Sequence, residues 1–328
     1  MLRRREFIGS AVLFGITATL PNTRAASPVP RRKLGRTGET ISGVGIGGAH
    51  LGGLASDAEA VSLVRRAIDE GIDFLDNCWD YHGGKSEERM GQALRDGYRE
   101  RAFLMTKIDG RDARTATRQI EESLRRLGTD RLDLLQLHEV IHDDDPERAF
   151  APKGAIEAMQ EAQRQGKARW LGFTGHKSPA LHLRMLDAAQ KHGFRFDAVQ
   201  LPLNVLDAHY DSFERLVLPR LVAEDIGVLG MKSMGNGLIL ASKAASASEC
   251  LRYAMSLPTS VVITGIDSPA VLDQALEVAR AYTPLTDAER EALLGRTARF
   301  AERGAWEKYK TSRTFDSTSR HPEWLGPG

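Results

Sequence analysis

The sequence predicts a (β/α)8 barrel of the TIM type. Eight short apolar runs alternate with amphipathic stretches from residue 33 onward. Glycines close the amphipathic stretches just before the next apolar run, as helix C-termini require. Eight such units in roughly 250 residues match the size of this fold, whose strands tolerate apolar residues on both faces. A doubly wound open sheet is the structural alternative, and the unit count favours the barrel.

The predicted strands are 41–47 (ISGVGIG), 73–78 (DFLDNC), 103–108 (FLMTKI), 132–138 (LDLLQLH), 168–175 (ARWLGFTG), 198–204 (AVQLPLN), 227–233 (GVLGMKS) and 261–267 (VVITGID). Between them, TATRQIEESLRRLG places Ile120, Leu124 and Leu127 on one helical face, and DAEAVSLVRRAIDEG has a similar period. Gly71, Gly128, Gly166, Gly193 and Gly227 stand at the expected helix ends. With 328 residues, 41% of them hydrophobic, and no composition shift or linker, residues 27–328 read as one domain with a C-terminal tail from about 283.

Residues 1–26 differ in kind. Arg3, Arg4 and Arg5 lead into Phe7, an apolar run from Ile8 to Leu20 and then small residues, the layout of an export signal. Arg4-Arg5-Glu6-Phe7 resembles the twin-arginine version, and the apolar run is too short for a permanent membrane span. These features predict a periplasmic or otherwise extracytoplasmic bacterial protein, exported folded by the twin-arginine machinery and free of a stable span once processed. The net charge of +1, from 45 basic and 44 acidic residues, makes nucleic acid an unsuitable partner. Cys78 and Cys250 exclude a disulfide framework and leave one bridge open.

Two literal motifs lose on context. Gly43 to Gly48 fits G-x-G-x-x-G, but AHLGGLAS separates it from the helix expected near Asp57, so it reads as a glycine-rich strand end. His138-Glu139-Val140-Ile141-His142 fits the H-E-x-x-H zinc signature, which needs a helix, whereas LDLLQL before it is a strand pattern.

A barrel places its chemistry at the strand C-termini. There the sequence offers Asp76, Tyr81 just beyond it, Lys107 and His138. Together they make a proton donor: an ammonium at Lys107 favours the phenolate of Tyr81 and so is expected to lower its pKa. Asp76 holds that ammonium, and His138 hydrogen-bonds a substrate oxygen. None of these groups carries a hydride, so a reduced nicotinamide must supply it.

On these residues the chain resembles the aldo-keto reductases over nearly all its length after residue 26. FLDNCWDYHGGKSEERMG is similar to that family's strand-two segment, FLMTKI carries its lysine, and SLRRLGTDRLDLLQLH carries its histidine. The resemblance implies a barrel that binds NADP, with NAD possible, and moves hydride between cofactor and a small carbonyl or alcohol. Tyr81 is then the general acid/base. Cofactor contacts carry over to Gly48 and Ala49 after strand one, Asp76 and Thr174, Gln200, and Met231, Lys232 and Met234 after strand seven. Gly265, Asp267, Ser268 and Gln274 fall where relatives hold the adenosine end, and Asp267 there repels a phosphate. Thr174-Gly175-His176 replaces the family's Ser-Asn, and Met231 replaces a common aromatic.

Substrate choice is expected around Trp79, His82, residues 143–150 and the tail, which either drapes over the barrel mouth or packs on its side. Two other functions compete with the reductase: a nicotinamide-binding sensor or partner subunit with weak turnover, and a zinc hydrolase built on His138 and His142.

Overall fold

The computed structural model describes residues 27–327. A hairpin of β1 (Arg31–Lys33) and β2 (Thr40–Ser42) precedes eight parallel strands: β3 (Val44–Gly47), β4 (Phe74–Asp76), β5 (Phe103–Ile108), β6 (Leu132–Leu137), β7 (Ala168–Thr174), β8 (Ala198–Pro202), β9 (Gly227–Met231) and β10 (Val261–Gly265). They pair in chain order, and β10 returns to β3 to close the barrel. All eight predicted strands are present. Most were drawn one or two residues too long at their C-termini, where polar side chains leave the sheet to form the mouth.

The helices obey the signals that predicted them. Asp112 caps Ala113–Leu127 by accepting from Thr115 N at 3.0 Å, and Gly128 ends it at φ 63°. Ile120, Leu124 and Leu127 are buried on the barrel side. Gly227 is the exception to the glycine rule. It opens β9, and Asp225 takes the left-handed position (φ 52°) after the preceding helix. A Cβ at Gly227 would lie 2.5 Å from Leu34, so packing, not turn geometry, requires glycine there.

The hairpin is absent from the sequence reading, which merges β2 into strand one and assigns no strand to β1. It plugs the N-terminal end of the barrel: Leu34 and Ile41 join Phe74, Phe103, Met105, Leu134, Leu229 and Val261 in the interior. Gly43 separates the two uses of the segment. The reading of Gly43–Gly48 also needs correction, since Gly48 does open a helix, the single turn Gly48–Leu51. That turn sits on a closed barrel, so the match still does not build a dinucleotide-binding βαβ unit. Both cysteines are free and buried. Among the described residues no helix is long and apolar enough to cross a membrane, and the export signal predicted at 1–26 lies outside them.

Candidate active site

β4 and β5 lie side by side, with Asp76 opposite Met105, so the side chains at their ends meet. Lys107, 1% exposed, donates to Asp76 Oδ1, to Asn77 O at 2.7 Å and to Tyr81 Oη at 3.3 Å. Gln200 Nε2 donates to the other Asp76 oxygen at 3.3 Å. Tyr81 stands edge-on to His138, ring centres 5.9 Å apart. The four predicted side chains therefore converge.

Their electrostatics differ from expectation in one respect. Burial first, and the Asp76 carboxylate second, push the Tyr81 phenol well above its ordinary value. The lowering expected from Lys107 is outweighed by desolvation and by the acidic groups that face the phenol. Tyr81 is thus firmly protonated. His138 Nδ1 faces Asp109 Oδ1 at 2.9 Å, Cys78 Sγ at 3.2 Å and Asp80 Oδ1 at 3.7 Å. Burial drives the imidazole toward its neutral form, but Asp80 and Asp109 outweigh it and the net pKa is raised. Asp109 is raised in turn, by burial and then by Asp80. Cys78, Asp80 and Asp109 are not among the predicted site residues. The available signal was position alone, each being polar and within a few residues past a strand end or beside a predicted site residue.

A cavity of about 210 Å³ opens above these groups, lined by Ala49, Tyr81, Lys107, His138, Thr174, Met231 and Lys232. Asp76, Gln200 and Gly48 lie behind it, with Ser86 donating to Gly48 O at 2.6 Å. Lys232 has left-handed backbone (φ 54°) and stands over the rings of Tyr309 and Phe315, 5.4 and 5.3 Å from their centres. Burial brings its pKa down to about 8. A larger concavity of about 750 Å³ lies beneath the hairpin, lined by Arg32, Arg36 and Thr259, remote from this chemistry.

Several predicted contacts stand apart from the cavity. Met234 packs against the core beside it, and Gly265 is covered by the His50 ring, 2.3 Å from where a Cβ would be. Asp267 and Gln274 are exposed, while Ser268 caps the helix Pro269–Arg280. His176 does line the cavity, but its ring is tied to the tail. Its Nε2 meets Asp316 Oδ1 at 3.2 Å, and Gly175 beneath it has no room for a Cβ, which would lie 2.4 Å from Val140 O.

Asp316 belongs to the tail, which does drape over the barrel mouth. Lys177 Nζ donates to Asp316 Oδ2 at 2.7 Å, and Glu139 accepts from the backbone N–H of Ser317 and Thr318 at 2.9 and 2.7 Å. Thr314, Phe315, Ser317 and Arg320 thereby become walls of the cavity. A second hollow of about 270 Å³ shares Tyr81 and is bounded by Asp80, His82, Arg320 and Trp324. Trp79 does not line either space: its indole N–H donates to Glu122 at 2.6 Å and its ring meets Trp324 edge-on. Residues 143–150 also lie elsewhere, forming the helix Asp145–Phe150, whose Asp145 holds the buried Arg111 at 2.6 Å.

The zinc-signature residues are not on a helix. Glu139 is left-handed at φ 52°, His138 turns to Asp109, and His142 Nε2 meets Thr318 Oγ1 at 3.0 Å. This geometry cannot present two imidazoles to one ion.

Residues 43–250 match the sequence profile of the Aldo/keto reductase family. L-galactose dehydrogenase of Arabidopsis thaliana is 29% identical over 227 residues, 63% of this chain and 66% of that protein. Aldo-keto reductase YhdN of Bacillus subtilis is 30% identical over 222 residues, 62% of this chain and 61% of that one. The chain thus spans just under two thirds of the length of these relatives. The holo form of an aldo-keto reductase from Bacillus halodurans shares the fold, with TM-score 0.68 at 21% identity over 82% of this chain and 96% of that one. The barrel, the convergent strand ends and the profile agree: the chain belongs to the aldo/keto reductase family.

Proposed function

We propose that this protein is a nicotinamide-dependent oxidoreductase acting on a small carbonyl or alcohol, with Tyr81 as general acid/base. The observation that carries the reading is the Tyr81 hydroxyl 3.3 Å from a buried ammonium that Asp76 pins in place, at the floor of a cavity.

The residues around the cavity fit a nicotinamide cofactor. Gln200 Oε1 is buried without a hydrogen-bond partner, and Thr174 Oγ1 meets only the Met231 sulfur, at 4.0 Å. A carboxamide satisfies both groups. The Lys232 ammonium, whose one hydrogen bond is to Asn236 at 3.2 Å, suits a pyrophosphate. Gly48, Ala49 and Met234 line the approach in this reading, and Gly265, Asp267, Ser268 and Gln274 take the adenosine end. The bound cofactor supplies the hydride.

The chain's own groups manage the proton. With its pKa raised, Tyr81 holds its proton at neutral pH and gives it to the substrate oxygen once that oxygen becomes more basic than the phenolate. Lys107 stabilises the phenolate left behind, and Asp76 with Asn77 O keeps the ammonium fixed. His138 orients the oxygen, and the tail keeps water out.

Tyr81→Phe tests the assignment. Turnover should vanish while NADPH affinity, followed by fluorescence titration, stays at the wild-type value; full activity in this variant refutes it. The same titration with NADH ranks the two cofactors. NADP is the proposed cofactor, and a tighter NADH complex would show that Asp267 excludes the phosphate. Residues 1–26 are proposed as a twin-arginine-type signal that sends the folded protein out of the bacterial cytoplasm. That reading rests on Arg4-Arg5-Glu6-Phe7 and the apolar run, and exchanging Arg4 and Arg5 for Lys should retain the protein inside.

A further inference from the structure

Behind His138 lies a group of side chains that proton transfer does not require. Cys78 Sγ, Asp80 Oδ1, a carboxylate oxygen of Asp109 and His138 Nδ1 all fall within 4.8 Å of one another. Cys78 and Asp109 are wholly buried, and the Asp80 side chain is 6% exposed. Two carboxylate oxygens, Asp80 Oδ1 and Asp109 Oδ2, are buried with no hydrogen-bond partner. Buried carboxylate oxygens left unpaired beside a second carboxylate are costly, and native proteins compensate them with a cation or a donor. The nearest ammonium, Lys107, is already engaged by Asp76, Asn77 O and Tyr81.

We propose that these four side chains form a site for one divalent transition-metal ion, best matched by Zn²⁺. One thiolate, one imidazole and two carboxylates are a four-ligand set of the kind zinc accepts, softer than calcium or magnesium prefer. Tetrahedral bonds of about 2.0–2.3 Å put ligand atoms roughly 3.3–3.7 Å apart. Cys78 Sγ and Asp80 Oδ1 lie 3.2 and 3.7 Å from His138 Nδ1, each within about 0.4 Å of the tetrahedral spacing. Asp109 has a carboxylate oxygen within 4.8 Å of the other three ligand atoms and gives up its hydrogen bond to Nδ1 on joining them. Access exists, because Asp80 borders the hollow beside Tyr81 and His138 borders the cavity. Uptake displaces the thiol proton and the proton shared by His138 and Asp109 into solvent. It also leaves the imidazole neutral, ligated at Nδ1 and protonated at Nε2. The site differs from the His138/His142 signature, which the backbone rules out.

The test is metal binding, independent of turnover. The full chain, stripped with a chelator, is titrated with Co²⁺ and then with Zn²⁺ in competition with a chromophoric chelator. One equivalent should bind, with a near-ultraviolet thiolate-to-Co²⁺ charge-transfer band. Cys78→Ser should abolish the band, and Asp80→Asn and Asp109→Asn should each weaken binding by about tenfold or more. His142→Ala should bind as wild type. Absence of the band in the wild-type protein, or equal binding by wild type and Asp80→Asn, overturns the proposal. Thermal unfolding and NADPH binding check that each variant is folded, and the wild-type band decides the matter even if Cys78→Ser is not.

Discussion

Lys107→Met isolates the electrostatic part of the proposed mechanism. The ammonium lies 3.3 Å from Tyr81 Oη and is 1% exposed. At an effective dielectric of about 20, a full charge pair at that distance interacts by about 5 kcal/mol. With about half a charge developed on the phenol in the transition state, the loss is roughly 2.5 kcal/mol, near 70-fold in rate; the full value gives several thousand-fold. We therefore expect kcat to fall by about 10²–10³-fold with NADPH affinity unchanged. Stability should fall as well, because Asp76 keeps only Gln200 as a side-chain partner, and breaking a buried pair typically costs about 3–5 kcal/mol. The double variant Asp76→Asn/Lys107→Met separates the two effects: it removes both charges, so urea unfolding should regain most of the lost stability while turnover stays low. The assay is NADPH consumption with a nitrobenzaldehyde as probe substrate. A kcat within threefold of wild type in Lys107→Met, or recovery of turnover in the double variant, refutes the argument.

Two further outcomes follow from the tail. Glu139→Ala removes the acceptor of three hydrogen bonds from Ser317 and Thr318; protease cleavage between residues 312 and 325 should accelerate while the barrel's midpoint moves little, and unchanged cleavage would show that the other contacts, those of Asp316 and His142 among them, suffice to hold the strap. Asp207 and Glu307 share the buried Lys310, at 2.6 and 3.0 Å, and burial raises both acids, Asp207 to about 7. Acids raised on folding contribute stability that is complete below their unfolded values near 4 and lost as pH climbs through their raised values, about 7 for Asp207. Glu307→Gln should therefore be stabilised relative to wild type at pH 8 and flatten the decline of stability with rising pH. Parallel unfolding curves for the two proteins across that range would contradict the shared-proton account.

Much of this architecture was legible in the sequence because it is local. Eight apolar runs separated by amphipathic helices dictate the strand count, and the glycines after the helices dictate where the chain turns back. Asp76, Tyr81, Lys107 and His138 could be found because each follows an apolar run, which in a barrel places it at the mouth. The hairpin was missed because Gly43 divides a run whose hydrophobic pattern is continuous. Trp79 was assigned to the substrate pocket on its chemistry, yet it faces Glu122 and Trp324, contacts 43 and 245 positions away. The tail posed the same difficulty: its polar, aromatic-studded pattern fits either a strap or a side packing, and only Glu139, Lys177 and His176 decide between them.

The Tyr81 pKa shows most sharply where such reading ends. The sequence identifies an amine near a phenol, with Asp76 holding the amine, and from that set a lowered pKa is expected. The fold adds deep burial and a ring of acidic neighbours, and the sign reverses, because desolvation and then the carboxylates, Asp76 first among them, outweigh the lysine's charge. The reversal suits the proposed chemistry. A phenol that ionised at neutral pH would have no proton to give, whereas one kept protonated by burial, with a fixed cation 3.3 Å away, stabilises its phenolate only while the proton is leaving. Asp76 therefore acts on both sides of the step. It holds the proton on Tyr81 in the resting site and holds Lys107 in place for the moment the proton departs.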